Sequence, residues 1–140
     1  MLTKEFVPHQ ESLELKELGF DEPCLAWYAE TKEIQISPES YKTFTSKPCN
    51  NSNIIKLFNV DCITAPTYSQ AFRWFREKYG LYFSIQYFQY DEWCLQITTK
   101  KEDIVFNHKS IDGFKTYEEA ELACLRKLIE IIKSNGKTNT

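Results

Sequence analysis

The sequence is poor in the residues and motifs on which most enzymes depend. Only two of its 140 residues are histidine, His9 and His108. The chain has no G-x-S-x-G nucleophile elbow, no phosphate-binding loop, no H-E-x-x-H zinc motif and no G-x-G-x-x-G dinucleotide motif. We therefore expect a protein that is not an enzyme, without catalytic residues, a metal site or a cofactor.

The five cysteines lack the spacing of a zinc site or of a disulfide framework. Their number is odd, and no C-x-x-C pair occurs among them. Most lie in apolar stretches, where a thiol behaves as a small hydrophobic group. This usage favours a reducing, cytoplasmic environment. One alternative stays open, because Cys24 or Cys124 could act as a nucleophile if a histidine lies beside it in space.

Long apolar runs and a strong net charge are also absent. No stretch approaches the roughly 18 apolar residues that a membrane span requires. The segment 1–5 shows no apolar run of the signal-peptide type. The formal net charge of -3 is too small to favour general nucleic-acid binding. These features predict a cytoplasmic globular protein that binds neither membranes nor nucleic acid in general.

Two similar pentapeptides predict the starts of the two main helices. The segments 67–71 and 116–120 both read T-Y-x-[QE]-A. A threonine at the N-cap can accept a hydrogen bond from the backbone three residues on, and Gln70 or Glu119 can reach back to the N-cap N–H, as in a capping box. The similarity indicates either an internal duplication or convergence on a good cap.

Alternating apolar residues predict two antiparallel hairpins and an α+β fold. The first hairpin unit, over 24–79, has strands at 24–29 and 33–37 and then a helix that begins at Thr67. The second, over 81–133, repeats this order. The ββα-ββα order predicts a two-layer domain with the hairpins on one side of the two longer helices. The hairpins could join in one four-stranded sheet or pair between two chains as a dimer.

A short helix is predicted over 8–19, ahead of the first hairpin. Pro8 suits its first turn, and Gly19 suits its C-terminal cap. Its charged outer side would hold three acids spaced at i, i+3 and i+6, namely Glu11, Glu14 and Glu17.

The remaining segments complete a predicted single domain over 1–140. The stretch 38–65 is rich in Ser, Thr, Asn and Pro and predicts a long loop, which in compact domains is usually functional or disordered. An apolar stretch at 54–58 could add a short strand within it. The last residues, 134–140, predict a frayed tail.

Aromatic side chains are abundant and supply the candidate binding residues. The chain has ten Phe, eight Tyr and three Trp. Rings beside an arginine can stack on a nucleobase, hold a phosphate group or form hot spots of a protein interface. The alternative is that the tryptophans belong to the core and the tyrosines cover its rim. The candidate set comprises Trp27, Tyr28, Arg73, Trp74, Arg76, Tyr87, Tyr90 and Trp93.

Three stretches of the sequence resemble a group of short, uncharacterised bacterial proteins that are often encoded in prophage or phage regions. They are FDEPCLAWY at 20–28, APTYSQAFRWFREKY at 65–79 and YEEAELACL at 117–125. Together they cover about a quarter of the chain. The resemblance implies a phage-associated accessory protein that works in the cytoplasm of the bacterial host. It implies no activity and no catalytic residues, because the group has none established.

These observations predict a small, non-enzymatic binding protein of phage or prophage type. Such a protein could sequester a small nucleotide-like ligand or inhibit a host protein, including a defence protein. Two alternatives stay open. One is a structural or self-assembling subunit of a phage particle, and the other is an enzyme with a cysteine nucleophile.

Overall fold

The structure is a computed structural model that describes residues 2–36, 63–90, 92–101, 103–108 and 113–138. The chain divides into two compact units, which we call the first unit (Met1–Gln70) and the second unit (Ala71–Thr140). The elements, in chain order, are a 3-10 helix (Leu2–Glu5), α1 (His9–Glu17), β1 (Ala26–Tyr28), β2 (Ile34–Ile36), β3 (Ile63–Ala65), α2 (Tyr68–Tyr79), β4 (Leu81–Tyr87), β5 (Trp93–Thr99), β6 (Ile104–His108) and α3 (Tyr117–Thr138). The predicted α+β class is confirmed, whereas the prediction of a single domain stays a prediction.

The first unit contains a three-stranded antiparallel sheet with the strand order β2-β1-β3. Trp27 in the central strand pairs with Gln35 of β2 and Thr64 of β3. The helix α1 packs against β3. The buried apolar residues of the first unit include Phe6, Val7, Leu15, Phe20, Cys24, Ala26, Tyr28, Ala65 and Tyr68.

The strand β3 occupies the end of the long loop that is predicted over 38–65. Three residues are too few to show an alternating pattern. The pairing of this segment with β1, rather than its own sequence, therefore makes it a strand. Both Thr64 and Ala65 are buried in this position. The rest of the predicted loop, including the possible strand at 54–58, lies outside the described residues.

The helix α1 ends as predicted but buries a residue that was expected on its outer side. Gly19 has φ +97°, which favours glycine, and the N–H of Phe20 donates to the carbonyl of Leu15 at 2.9 Å. Glu11, however, is only 3% exposed. Its neighbour Ser12 is equally buried, so the inward face of the helix includes two polar positions beside Leu15. The prediction that Glu11 lies on the outer side of the helix, which was based on its charge, is therefore wrong.

Both predicted threonine N-caps are present. The Thr67 hydroxyl accepts a hydrogen bond from the N–H of Gln70 at 3.2 Å, and the Thr116 hydroxyl accepts one from the N–H of Glu119 at 3.1 Å. Each bond satisfies a backbone donor that the first turn of a helix leaves without a partner inside the helix. The two helices thus begin in the same way.

The second half of each capping box differs from the prediction. Gln70 does not reach back to Thr67, because its side-chain amide donates to the carbonyl of Pro23 at 2.6 Å. The carboxylate of Glu119 accepts from the N–H of Lys115 at 3.1 Å, one residue ahead of the cap. The first helix start is thereby tied to a distant loop, and the second to the residue before its own cap.

The second unit contains an antiparallel meander in the order β4-β5-β6. The predicted β4–β5 hairpin is confirmed over all seven residue pairs, from Leu81 opposite Thr99 to Tyr87 opposite Trp93. The helix α3 packs against β4 and β5. The buried apolar residues of the second unit include Phe72, Phe75, Leu81, Leu95, Ile97, Ala120, Cys124, Leu125, Leu128 and Ile129.

Two features of the second unit extend beyond the prediction. A third strand, β6, follows the hairpin, so the described residues form two three-stranded sheets, and the predicted ββα-ββα order was incomplete in both units. The helix α3 continues to Thr138, although 134–140 was predicted as a frayed tail. Ser134, Asn135 and Gly136 lower helix propensity without removing a backbone donor, as proline would. The helix therefore runs on through them.

Candidate functional site

The best candidate site is a group of aromatic residues at the β4–β5 turn and the start of α3. We call it the aromatic surface; it comprises Tyr87, Phe88, Tyr90, Trp93 and Tyr117. Because Tyr87 and Trp93 are opposite each other in the hairpin, their side chains lie on the same face of the sheet. Tyr117 is the first residue of α3 and contacts the indole of Trp93. Sheet register and helix packing thus bring the three rings together.

The indole of Trp93 lies between two tyrosine rings. Its ring centroid is 5.3 Å from that of Tyr87 and 5.2 Å from that of Tyr117, with interplanar angles of 69° and 80°. Such edge-to-face arrangements are favoured because the positive edge of one ring meets the negative face of another. The three rings therefore hold one another in defined orientations.

The backbone around Trp93 fixes the position of the chain that leads into α3. Trp93 and Phe114 exchange two backbone hydrogen bonds, of 2.8 and 3.0 Å. A Cβ atom at Gly113 would lie only 2.9 Å from the carbonyl oxygen of Trp93, so a larger residue there would push the two segments apart. This close approach places Tyr117 beside the indole.

The turn between β4 and β5 exposes two large rings. Phe88 is 61% exposed and Tyr90 is 85% exposed. The N–H of Phe88 donates to the carbonyl of Glu92 at 2.7 Å and closes the turn. Tyr90 has φ +63°, a left-handed conformation that costs a residue with a Cβ atom about 1–2 kcal/mol. Short hairpin turns commonly contain one residue in this conformation, and the exposed ring makes Tyr90 a candidate binding residue.

Several carboxylates lie near Trp93 and Tyr117 in the aromatic surface. Glu92 forms an ion pair with the ammonium of Lys115 at 3.4 Å. Burial raises the pKa of the Tyr117 hydroxyl, and the negative charges of Glu121 and Glu118 raise it further, as does Cys124. Glu118 is the residue after Tyr117 in α3, and Glu121 lies one helical turn beyond it.

Two of the predicted site residues, Trp27 and Tyr28, belong to the first unit. Trp27 is half-buried in the central strand. Tyr28 is buried, and its hydroxyl donates to the carbonyl of Val7 at 2.7 Å. Burial raises the pKa of that hydroxyl, and Glu11 raises it further. Tyr28 is therefore a core residue with a satisfied hydroxyl and offers almost no surface to a ligand.

Three further predicted residues lie on α2, where the sequence suggested a ring beside two arginines. Arg73 and Arg76 are exposed, but Trp74 is only 6% exposed. The ammonium of Lys78 lies 5.0 Å above its ring. Trp74 thus cannot offer its face to a nucleobase, and the expected combination of a stacking ring with arginines is not formed by this residue.

Of the predicted residues, Tyr87, Tyr90 and Trp93 belong to the aromatic surface. Phe88 and Tyr117 were missed. Phe88 could have been found from its place beside a turn, where small polar residues are the norm. No simple pattern identifies Tyr117, because its spacing matches the buried stripe of α3 although it is 37% exposed.

The thiol of Cys124 does not suit the cysteine-nucleophile hypothesis. Burial raises its pKa to about 12, and Glu121 contributes to the shift. A thiol reacts as the thiolate, so Cys124 is almost entirely in its unreactive protonated form at neutral pH. Among the described side chains, no three His, Cys, Asp or Glu residues come together in a group that could hold a metal ion.

In the described part of the chain, no helix is both long enough and apolar enough to span a lipid bilayer.

The comparisons with known proteins find no relative. No family model, curated protein or solved structure matches this chain.

Proposed function

We propose that this protein is a small, non-enzymatic binding protein whose aromatic surface engages another protein. The observation that carries the proposal is the exposure of Phe88 and Tyr90 in the turn that joins Tyr87 to Trp93, the strand residues of the ring group. Aromatic side chains dominate the binding energy of protein interfaces, since they bury a large area at a small cost in side-chain entropy. Rings held in place before binding reduce that cost further.

A nucleotide-like ligand is less well supported than a protein partner. The carboxylates of Glu92, Glu118 and Glu121 border the aromatic surface, so a phosphate group there would be repelled. On α2, Arg73 and Arg76 are exposed, but the ring of Trp74 between them is buried. The exposed arginines of α2 therefore have no accessible ring from Trp74 beside them.

The resemblance to phage-encoded proteins supports a partner from the bacterial host. In this proposal the protein works in the host cytoplasm and occupies a host protein, including a defence protein. Blocking by occupation requires only a surface of sufficient affinity. It does not require a catalytic group.

The proposal is tested with matched baits. Purified wild-type protein and the variants Phe88→Ser, Tyr90→Ser and Leu25→Ser are immobilised and exposed to bacterial lysate, and retained proteins are quantified by mass spectrometry. Leu25 is the control, because it is 55% exposed and lies in the first unit. We expect a protein that is retained by the wild type and by Leu25→Ser but lost from both turn variants. Equal retention by all four baits, or no retained protein, would refute the proposal.

A second candidate function is self-assembly through β6. This strand lies at the edge of its sheet in the described residues, and Ile104 and Val105 are 59% and 42% exposed. An apolar edge strand can pair with another chain. Light scattering of the wild type and of Val105→Lys tests this function. A mass that falls to that of one chain only in the variant supports it, and a wild-type monomer at all concentrations excludes it.

A further inference from the structure

We propose that the aromatic surface binds a basic segment of its partner protein, with an arginine or lysine side chain seated against Trp93 and Tyr117. This inference rests on the proposed function and specifies the chemistry of the partner. Three observations carry it: the orientation of the rings, the charges around them, and the way in which the same unit covers its other rings.

The ring arrangement suits a cation. Ammonium and guanidinium groups are attracted to the negative face of an aromatic ring, most strongly to that of tryptophan. The rings of Tyr87 and Tyr117 stand at 69° and 80° to the Trp93 indole. The centroids are only 5.2–5.3 Å apart, so the rings contact one another and a cation would lie over an outward face, such as that of the 37% exposed Tyr117, rather than between the rings.

The charges at the rim are predominantly negative. The carboxylate of Glu92 contacts the ammonium of Lys115, and that of Glu119 accepts from the Lys115 backbone N–H; Glu118 follows Tyr117 in α3, and Glu121 lies one turn further along the helix. Among the described residues here, the exposed Glu118 and Glu119 add their carboxylates to the Glu92–Lys115 ion pair, so negative charge predominates. A basic segment is attracted to such a rim, whereas a phosphate group or an anionic membrane is repelled.

Among the described residues, the second unit places its own lysines over three of its rings, those of Trp74, Tyr79 and Phe106. The ammonium of Lys78 lies 5.0 Å from the Trp74 ring centroid, and that of Lys127 lies 4.8 Å from the ring centroid of Phe106. Among the described residues, no cation is placed over the rings of Trp93 or Tyr117 in this way. An arginine or lysine from a partner would supply the contact that the chain supplies elsewhere by itself.

The probe is a set of short peptides that alternate glycine with arginine, lysine, glutamine or glutamate. The full chain is labelled with 5-fluorotryptophan, and the fluorine resonance of Trp93 is assigned with the Trp93→Phe variant. We expect the arginine and lysine peptides to shift the Trp93 resonance in a saturable way. The glutamine and glutamate peptides, at equal concentration, should leave it in place.

Two charge variants make opposite predictions for the arginine peptide. Glu118→Gln should weaken binding about two- to fivefold, and Lys115→Gln should strengthen it by a similar factor, because one removes an attracting charge and the other a repelling one. Glu130→Gln is the control. It also lies exposed on α3, roughly 18 Å along the helix from Glu118, and should not change binding. A loss of folding cannot produce this pattern of opposite signs.

The outcomes separate this inference from the proposed function. If the arginine peptide shifts the Trp93 resonance no more than the glutamine peptide does, the inference is wrong. The proposed function then still stands if a partner is lost from Phe88→Ser and Tyr90→Ser. If the arginine peptide binds with affinities that follow the two charge variants but no partner is lost from the turn variants, the cation site is real and the proposed function is wrong.

Discussion

The two copies of T-Y-x-[QE]-A cap their helices alike but place their tyrosines in different environments. Tyr68 is 8% exposed in the first unit, whereas Tyr117 is 37% exposed in the second and contacts Trp93. The alanines of the two copies, Ala71 and Ala120, are both fully buried. In both copies the motif starts a helix, and its alanine is buried. The surrounding fold decides whether the tyrosine after the cap is buried or exposed.

The two sheets differ in the same direction. The first unit uses three-residue strands and ties the hydroxyl of Tyr28 to the carbonyl of Val7. The second unit uses the seven-residue strands β4 and β5, whose hairpin ends in the exposed rings of Phe88 and Tyr90. A long regular hairpin can hold apolar rings in solvent at its tip, because the rest of the hairpin is anchored by pairing and packing. The contrast between hidden and displayed aromatics can be tested directly.

The largest expected effect comes from removing a hidden ring. Phe20 is 1% exposed, so Phe20→Ala should lower the free energy of unfolding by about 3–5 kcal/mol. The same change at Phe88, which is 61% exposed, should cost less than about 0.5 kcal/mol. Urea unfolding followed by circular dichroism measures both. Similar losses in the two variants would mean that Phe88 is buried in solution.

The next largest effect is a loss of stability at alkaline pH, caused by the buried thiol of Cys124 in the second unit. The folded-state pKa of Cys124 is raised from 9.0 to about 12, so the folded state holds the thiol proton more tightly than the unfolded state does. The stabilisation is complete below pH 9 and is lost as the pH rises toward about 12. Relative to Cys124→Ala, the wild type should lose about 1.4 kcal/mol per pH unit above 9. Below pH 9 the difference between the wild type and Cys124→Ala should be constant, which serves as the internal control.

The caps should give an effect of about 1 kcal/mol in each unit. Thr67→Ala and Thr116→Ala each remove the acceptor for one backbone N–H, and cap removal typically costs 0.5–2 kcal/mol. Serine at either position keeps a hydroxyl and should restore most of the stability. Chemical unfolding of the four variants checks this. A large cost at Thr67 with none at Thr116 would contradict the equivalence of the two caps.

The smallest effect separates the two tyrosine hydroxyls. Tyr28→Phe removes the hydrogen bond to Val7 inside the first unit and should cost about 0.5–1.5 kcal/mol. Tyr117→Phe removes a hydroxyl from a ring that is 37% exposed and should change stability little. Thermal unfolding of both variants at neutral pH gives the comparison. An equal loss in the two would show that the Tyr117 hydroxyl also has a structural role.

The elements that could be predicted from sequence are those whose own residues carry enough signal. The strands β4 and β5 show alternation over seven residues each, and the caps at Thr67 and Thr116 require only one side chain and a neighbouring N–H. The three-residue strand β3 carries no such signal. The strand β6 begins with the apolar run at 104–106, which has no alternation, so its pairing with β5 decides its structure.

The candidate site was predictable only in part, for a related reason. Residues such as Tyr87 and Trp93 stand out from the strand pattern, and register then brings them together. Tyr28 and Trp74 have the same composition signal, yet they are buried, because exposure depends on what packs over a ring rather than on the ring. Glu11 shows the converse, since a carboxylate followed the buried face of α1.

At Tyr90, backbone stability and the display of an exposed ring favour different residues. Glycine or asparagine would adopt φ +63° at less cost and relieve about 1 kcal/mol of strain, but either would delete the most exposed ring of the second unit. A population of variants screened only for thermal tolerance would drift toward glycine at this position. The same population screened for partner capture would keep an aromatic residue. The identity of the residue selected at position 90 therefore reports which of the two pressures dominated.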